Sequence, residues 1–252
     1  MMNKTWKAAY GVLAFAVSTA LSAEVVPAKQ SASDWYTDAQ TKLTEKLNTN
    51  NAFKAKNVIL FVGDGMGVST LTASRILKGQ QAGNTGEEGY LSFESFGHTA
   101  LIKTYNVDSQ TPDSAGTMTA MMSGLKTDVG VIGVNENVVR GDCSTAGIIS
   151  TARITHATPA ATYAKSADRN WEDDGDMPAE QLTSGCKDIA DHLINFESNL
   201  EARFKGVDVD GLDVVMGGGR RSFLPKDVAY NSADAVSAVE GDRTDGRDLT
   251  AE

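Results

Sequence analysis

The sequence predicts an α/β fold, with a mostly parallel, doubly wound sheet and flanking helices. Short apolar runs alternate with amphipathic stretches along the chain, which is the order expected of strands joined by helical crossovers. Glycine-rich or polar turns follow several of these runs, at the sheet edge where open α/β sheets bind their ligands. With 252 residues, the chain is long enough to bury one large core or two small ones.

The individual elements follow from local patterns. After a small-residue linker, the spacing of apolar side chains predicts an amphipathic helix over Asp34–Leu47, within an N-terminal arm at residues 24–50. Residues 51–252 form the predicted main domain. Its predicted strands are Asn57–Val62, Thr99–Tyr105, Gly147–Thr151 and Leu212–Met216, and its predicted helices are Val68–Leu77, Ala115–Ser123 and Asp188–Phe196.

Residues 1–23 carry the pattern of an export signal. Lys4 and Lys7 precede an apolar stretch that ends at Ala20, and small residues offer a cleavage point near Ala23. The stretch is shorter than the about 20 residues that span a bilayer, and an uncleaved anchor is the alternative. We therefore expect a protein that is exported to the periplasm or the extracellular space, with no transmembrane segment in its mature part.

Charge and cysteine content narrow the function further. The formal net charge of −10 argues against a nucleic-acid partner, because phosphate backbones are bound through Lys and Arg. A site for an anionic substrate must therefore take its positive charge from metal ions or a positioned arginine. The two cysteines, Cys143 and Cys186, favour one disulfide in an oxidising compartment, and two buried thiols are the alternative.

Asp64 is the first candidate for chemistry. It lies in the glycine-rich run at residues 63–67, directly after the first predicted strand. A carboxylate at this edge, left uncrowded by its glycine neighbours, suits a hard or borderline cation. A turn aspartate that caps the following helix is the alternative interpretation.

Ser114 is the second candidate, in the run Pro112–Thr117 of sequence PDSAGT. It opens a predicted helix, where free backbone N–H groups and the positive end of the helix dipole favour a phosphoryl group. The same position suits an ordinary N-cap. A serine nucleophile also needs a base or a metal to activate it.

The third predicted strand leads into further candidates. His156 and Thr158 are two residues apart, so in an extended stretch they face the same way and could share one cation. Arg169 is a candidate phosphate clamp, because a guanidinium group binds two phosphate oxygens at once. Structural hydrogen bonds or surface ion pairs are the alternatives for all three. His98 and His192 are predicted to be structural or surface residues.

Two other clusters are interpreted as structural. The acidic residues Glu172, Asp173, Asp174 and Asp176 predict a solvated loop rather than a calcium site. The run Gly217–Arg220 predicts either a tight turn or an anion cradle.

Taken in order, these motifs resemble those of the alkaline phosphatases. Residues 57–67 are similar to the first strand and metal loop of that family, and residues 103–117 are similar to its nucleophile segment. Residues 151–160 and 168–171 resemble the next two motifs, and their sequences are most similar to those of the animal-type branch. The similarity runs from about Asp34 to Glu252.

The resemblance implies hydrolysis of phosphate monoesters through a phosphoserine intermediate. Ser114 would be the nucleophile, Asp113 its neighbour at the substrate, and Arg169 the clamp on the phosphate. The implied cofactors are two zinc ions and one magnesium ion. Their implied ligands are Asp64, Ser114, His156 and Thr158.

The resemblance also implies a covalent link and a partner. Cys143 and Cys186 match positions that the animal-type enzymes join by a disulfide. The helix over Asp34–Leu47 is similar to the arm that packs on the other subunit in those enzymes, so a homodimer is expected for the full-length form.

Two departures from the family pattern lead to further expectations. The family's remaining zinc ligands and a magnesium-binding glutamate match nothing in this chain, which has three histidines. We expect a truncated or partial product that is inactive alone, and a non-catalytic phosphate- or metal-binding remnant is the alternative function. A sulfatase or a phosphodiesterase is a third hypothesis for the function. Three residues separate Cys143 from the strand at Gly147, where the family carries a helix, so an internal deletion is also expected.

Overall fold

The computed structural model describes residues 33–49, 55–87, 89–95, 100–137, 147–204, 206, 211–226 and 240–251. Tertiary contacts divide the chain into two units, Met1–Asn51 with Tyr105–Glu252, and Ala52–Thr104. The predicted export signal, His98, Cys143 and the short connection after Cys143 lie outside the described residues. Within these ranges, no helix is long and apolar enough to cross a membrane.

Two parallel strands run through the larger unit, β1 (Gly147–Arg153) and β2 (Val214–Gly218). Gly147 pairs with Val214, and the pairing continues to Arg153 and Gly218 across an irregularity in the register. Parallel strands need a long crossover between them, and here that crossover contains several helices. This arrangement confirms the predicted α/β class and the strands predicted at Gly147 and Leu212.

Helices supply the rest of the regular structure. The larger unit contains α1 (Asp34–Thr49), α3 (Ser114–Ser123), α4 (Ala157–Ala160), α5 (Ala179–Thr183), α6 (Ile189–Ile194) and α7 (Phe196–Arg203). It also contains 3₁₀ turns at Asp174–Asp176 and Arg220–Phe223. The smaller unit contains α2 (Val68–Gln81) and a 3₁₀ turn at Ser92–Ser95. The helices predicted near Asp34, Val68 and Ala115 are confirmed.

The helix predicted over Asp188–Phe196 is shorter than expected. It ends at Ile194, and α7 begins at Phe196. Asn195 separates the two helices, and its side-chain amide donates to the backbone carbonyl of Asp191 at 3.2 Å. An asparagine that bonds to nearby backbone groups competes with the helical ladder, which explains the break.

The core of the larger unit gathers apolar side chains from α3, β1 and α4. Ala115 and Met118 of α3 belong to one buried cluster with Ile148 of β1 and Ala157 of α4. The alanines at the starts of the two helices are fully or almost fully buried. Ala115 directly follows Ser114, and Ala157 directly follows His156, so the core fixes the backbone next to both candidates.

Two predicted strands are absent from the part of the chain that the structure describes. Residues 57–62 and 100–105 make no ladder hydrogen bonds there, and Phe61 is 90% and Leu101 95% exposed. A continuous apolar run is stable as a strand when neighbours pair with its backbone and cover both faces. Neither condition is met among these residues, so the two strand predictions are wrong.

The glycine run after β2 forms a turn. Gly217 and Gly218 end the strand, and Gly219 has a φ of +91° before the 3₁₀ turn at Arg220–Phe223. A Cβ at Gly219 would lie 2.8 Å from Cβ of Arg153, so a side chain would not fit there. The tight-turn interpretation of this run is therefore the correct one.

Within the acidic run after Trp171, Asp176 is exposed as predicted, but Asp173 and Asp174 are buried rather than solvated. Asp173 and Asp174 are 1% and 4% exposed. Asp174 accepts hydrogen bonds from the backbone N–H and the hydroxyl of Thr244, and Asp173 accepts one from the N–H of Gly175. The solvated-loop prediction is wrong for these residues because the distant segment at 240–251 provides partners and cover.

Arg243 is a buried cation in this acidic region. Its Nη1 and Nη2 atoms lie 3.2 and 3.1 Å from the two carboxylate oxygens of Asp188, and Nη2 also pairs with Asp245. Asp188 is the N-cap of α6 and accepts from the N–H of Asp191 at 2.8 Å. Burial raises the pKa of Asp188, although its hydrogen bonds with Arg243 act in the opposite direction. Arg243 thus ties residues 240–251 to the start of α6.

Replacing Arg243 by alanine should leave Asp188 buried without its cation. We expect the free energy of unfolding to fall by about 3–5 kcal/mol, measured by urea unfolding. The control is Arg221→Ala, because Arg221 Nε lies 2.9 Å from Asp242 in an exposed ion pair. That variant should lose less than about 1 kcal/mol, and equal losses in the two variants would contradict the assignment.

A second prediction concerns the pH dependence of stability. Burial, together with the nearby charge of Asp176, raises the pKa of Asp173 from 3.8 to about 6. The folded chain therefore favours the protonated acid, and the stability that this gives is complete below the unfolded pKa and lost as pH rises from about 4 to 6. Asp173→Asn should be more stable than the parent at about pH 7, by roughly 1–3 kcal/mol.

Thermal unfolding across this pH range measures the effect. Glu180→Gln removes an exposed carboxylate on α5 and serves as the control. An Asp173→Asn variant whose stability runs parallel to that of the parent at every pH would overturn the prediction.

Candidate active site

The carboxylate of Asp113 forms the centre of the candidate site. Asp113 is the N-cap of α3, and its side chain accepts from the N–H groups of Ala115 at 3.3 Å and Gly116 at 3.0 Å. An aspartate here satisfies backbone donors that a helix start otherwise leaves free. Ser114 is the first residue of α3, so the N-cap interpretation of Ser114 is wrong and that role belongs to Asp113.

Two further donors reach Asp113 from outside the helix. Asn106 Nδ2 donates to Oδ1 at 2.8 Å, and the N–H of Gly130 donates to Oδ2 at 3.0 Å. Asn106 is buried, and a Cβ at Gly116 would lie 2.9 Å from its amide nitrogen. The second residue after Ser114 therefore has to be glycine for Asn106 to reach Asp113.

Arg169 completes the shell around Asp113. Its Nη1 atom lies 3.0 Å from Asp113 Oδ2. The backbone near Arg169 is held by Ser166, which exchanges two hydrogen bonds with Ile132 at 2.9 and 3.0 Å and donates its hydroxyl to the carbonyl of Asp168. The guanidinium group is thereby fixed at the N-terminus of α3, beside the residue that precedes Ser114.

The electrostatics of Asp113 follow from these contacts. Burial acts to raise its pKa, but the hydrogen bonds from Asn106, Gly116, Gly130 and Arg169 together hold the pKa below the ordinary value of 3.8. The side chain is therefore a carboxylate at neutral pH. This fixed anion holds the arginine in place.

His156 and Thr158 do not lie on an extended stretch. His156 is the N-cap residue of α4, and Thr158 lies inside that one-turn helix. Because residues two apart on a helix do not face each other, the extended-chain reasoning for this pair is wrong. Both side chains are half-buried. Their joint contact with a cation stays a prediction.

His156 lies close to Arg169. Arg169 Nη2 is 3.5 Å from His156 Nε2. A guanidinium group only donates, so His156 Nε2 can pair with it only in the tautomer in which this nitrogen accepts. His156 Nδ1 is buried and has no hydrogen-bond partner within the ranges that the structure describes. The structure thus brings three of the predicted residues together, Asp113, His156 and Arg169.

Asp64 lies in the smaller unit, in the exposed turn that precedes α2. Gly65 has a φ of +65°, a left-handed conformation that favours glycine. Gly67 is the N-cap residue of α2, so the interpretation of Asp64 as that cap is wrong. Its role as a metal ligand stays a prediction.

The residues present agree in type with the implied metals. A carboxylate, an imidazole and hydroxyl groups are ligands that zinc and magnesium accept. The buried Nδ1 of His156, which has no hydrogen-bond partner among the described residues, is an atom that a cation could satisfy. Among the described residues, no group of three or more His, Cys, Asp or Glu side chains is placed to hold a metal.

Sequence reasoning misses two polar residues that build this region, Asn106 and Glu172. Glu172 accepts from Arg153 Nε at 2.8 Å, from Arg153 Nη2 at 2.6 Å and from the Thr155 hydroxyl at 2.6 Å. Its side chain is 12% exposed, so the solvated-loop prediction is wrong here too. Glu172 and Arg153 are 19 residues apart, a separation that matches no helix or turn spacing.

The other predicted residues lie apart from this cluster or cannot be placed. Cys186 is exposed after α5, with its Sγ atom 3.6 Å from Gln181 Oε1. Because Cys143 is outside the described residues, the disulfide stays a prediction. His192 is half-buried on α6.

Comparison with known proteins gives a consistent family. The alkaline phosphatase family model matches residues 55–252. The tissue-nonspecific alkaline phosphatases of Mus musculus and Homo sapiens are each 43% identical to this chain, over 94% of it and 47% of the relative. The alkaline phosphatase of Gadus morhua is 42% identical, over 87% of this chain and 47% of its own. The chain thus spans about half the length of these curated relatives.

Comparison with solved structures concerns the fold. The alkaline phosphatase from the Antarctic bacterium TAB5 matches with a TM-score of 0.50 and 24% identity, over 75% of this chain and 42% of that one. A variant of that enzyme, solved with Mg bound in its M3 site, matches with a TM-score of 0.49. The match to the first of these supports the α/β assignment.

The charge of Asp113 should matter for stability. Asp113→Asn keeps an oxygen for the helix cap but removes the anion that holds Arg169, so we expect a loss of about 1–3 kcal/mol at neutral pH. Because the folded pKa is depressed, the stability from this group is present above 3.8 and lost as pH falls through the folded pKa. The difference between variant and parent should therefore shrink in acid.

Chemical unfolding at several pH values measures this difference. The control is Asp108→Asn, because Asp108 accepts from the N–H of Val129 at 2.9 Å, next to Gly130. A gap between Asp113→Asn and the parent that widens in acid would contradict the assignment.

Proposed function

Since the chain belongs to the alkaline phosphatase family, we propose that it carries the nucleophile and the phosphate clamp of a phosphomonoesterase. The observation that carries the proposal is the position of Arg169, which pairs with Asp113 at the start of α3. This brings a cation to the residue next to Ser114. A chain with a net charge of −10 needs such a local positive charge to bind a phosphate ester.

Ser114 is the nucleophile in this proposal. Its Oγ atom forms a bond to phosphorus, and the bond to the ester oxygen breaks, with its electron pair and a proton going to the departing alcohol. Water then cleaves the phosphoserine and regenerates the hydroxyl. The position favours this chemistry because the N-terminus of α3 contributes a positive dipole where negative charge accumulates.

Arg169 is the clamp on the phosphoryl oxygens. Phosphoryl transfer spreads negative charge over these oxygens, so a fixed guanidinium group stabilises the transition state. Asp113 uses one N–H of Nη1, and Nη2 lies 3.5 Å from His156 Nε2, so the other N–H groups of the guanidinium fork are those that can meet a substrate. The Asp113 carboxylate orients the fork and does not itself contact phosphorus.

The cofactors in this proposal are two zinc ions and one magnesium ion. Asp64, Ser114, His156 and Thr158 would hold them, together with ligands that the family pattern places elsewhere. When bound, such cations lower the pKa of the serine hydroxyl and neutralise charge on the attacking and leaving oxygens. With three histidines in the sequence and one of them in a motif, we expect this chain alone to have little or no activity.

The remaining proposals concern the cell and the partner. The N-terminal pattern supports export to the periplasm or the extracellular space. The helix α1 is the element proposed to pack on a second copy in the full-length form, and Ala39 and Leu43 on it are exposed. The disulfide between Cys143 and Cys186 fits the same oxidising location.

A second candidate function is non-catalytic binding of phosphate or a metal ion. The low histidine count favours it, because two histidine-rich zinc sites need more imidazoles than this chain has. The Arg169–Asp113 pair would serve this function equally well.

Phosphate binding and turnover test the proposal and separate the two candidates. Calorimetry with inorganic phosphate, in the presence of zinc and magnesium, should show binding that weakens by about tenfold or more in Arg169→Ala. Arg221→Ala removes an exposed arginine and is the charge-matched control. Unchanged phosphate affinity in Arg169→Ala would contradict Arg169 as the phosphate clamp in both candidates.

Hydrolysis of an aryl phosphate is the second measurement on the same samples. Any turnover should disappear in Ser114→Ala, while phosphate binding persists. Binding without turnover in the parent chain supports the non-catalytic candidate. Turnover that survives in Ser114→Ala would contradict the assignment of the nucleophile.

A further inference from the structure

We propose that Glu172 is a positioning residue, which fixes His156 relative to Arg169 by holding the backbone segments that carry them. This inference rests on the proposed function for its importance to catalysis, but it concerns a residue to which neither the motifs nor the comparisons give a role. Glu172 lies three residues after Arg169, and its carboxylate accepts hydrogen bonds from Arg153 and Thr155, which closely precede His156.

The first set of contacts made by Glu172 is with the residues before His156. Glu172 accepts two hydrogen bonds from Arg153, the last residue of β1, and one from the hydroxyl of Thr155. Thr155 is fully buried, and the N–H of His156 donates to the carbonyl of Arg153 at 3.0 Å. Glu172 therefore fixes the turn that carries the His156 imidazole through its hydrogen bonds with Arg153 and Thr155.

The second set of contacts is with the backbone segment that carries Arg169. The backbone of residues 168–172 is folded on itself, with the N–H of Glu172 donating to the carbonyl of Asn170 at 2.8 Å. The carbonyls of Trp171 and Glu172 accept from Ile189 and Ala190 at the start of α6. The segment with Arg169 is thus anchored to a helix, and the side chain of Glu172 connects that anchored segment to β1.

Charge and burial agree with a fixed carboxylate. Burial acts to raise the pKa of Glu172, but hydrogen bonds from Arg153 and Thr155, and the nearby charges of Arg153 and His156, hold the pKa below its ordinary value. A half-buried carboxylate with a two-point arginine contact is rigid because both oxygens are used. Groups that orient ligands or clamps in this way act through geometry rather than by touching the substrate.

The consequence concerns the distance from Arg169 Nη2 to His156 Nε2, which is 3.5 Å. Arg169 is held independently by Asp113, so a shift of the β1 end moves the imidazole while the guanidinium group stays. Loss of the hydrogen bonds of Glu172 should therefore change the surroundings of His156 directly and, through them, the affinity for phosphate.

The test uses Glu172→Gln in the full chain, with a matched control in the other unit. Glu94 accepts from Arg75 at 2.6 Å and from the N–H of Leu91 at 2.7 Å, so Glu94→Gln also breaks a partly buried ion pair. Thr155→Val removes a single hydrogen bond of Glu172 and serves as the second variant. It keeps the Arg153 pair and decides the question where Glu172→Gln does not fold.

Two readouts are needed. The first is the NMR spectrum of the imidazole nitrogens in the chain labelled with nitrogen-15 histidine. The chain has three histidines, and the signals that disappear in His156→Ala are those of His156. The second is the affinity for inorganic phosphate by calorimetry. We expect Glu172→Gln to shift the His156 signals and to weaken phosphate binding by about tenfold. Thr155→Val should act in the same direction, and Glu94→Gln should change neither readout.

The opposite result is equally clear. If Glu172→Gln and Thr155→Val keep the His156 signals of the parent and its phosphate affinity to within about twofold, Glu172 has no positioning role. If the parent chain binds no phosphate, the proposed function fails, and the His156 signals alone decide the role of Glu172. A shift of those signals in Glu94→Gln as large as in Glu172→Gln would also overturn the inference.

Discussion

The half-buried carboxylate of Asp113 makes the interactions on which the candidate site depends. It accepts hydrogen bonds from the start of α3, from Asn106, from Gly130 and from Arg169, and so joins segments that are distant in sequence. An aspartate that only capped a helix would need two of these donors. The additional donors lower the pKa of Asp113, so the group stays ionised at neutral pH and is the fixed counter-ion of Arg169.

Local sequence patterns predict those parts of the fold that depend on local physics. The helix α1 follows from the spacing of apolar side chains within its segment, and α1, α2 and α3 all appear close to where the sequence places them. The strand predicted at residues 57–62 rests on an equally clear apolar run and is nevertheless wrong. A helix satisfies its own backbone, whereas a strand needs a neighbour that its own residues cannot specify.

The candidate site shows the same division. Ser114, His156 and Arg169 stand out from residue type and motif order, but nothing in their spacing shows that Arg169 reaches Asp113 or that Nε2 of His156 faces it. Asn106 lies in the segment similar to the nucleophile motif and Glu172 in the acidic run, but the sequence assigns neither a role, and their importance is visible only from their hydrogen bonds. The acidic run after Trp171 was indistinguishable from a surface loop for this reason, since the cover for Asp174 comes from Thr244, 70 residues away.

The pairing of Asp113 with Arg169 spans 56 residues, and that of Asp188 with Arg243 spans 55. Contacts between such distant positions can form only after the intervening chain has collapsed, and each carries a large entropic cost of closing the loop. The elements within these loops are short, so they offer little early local structure. We therefore expect the geometry of the candidate site to arise late in folding, after the helices, and to be among the first features lost when the chain begins to open.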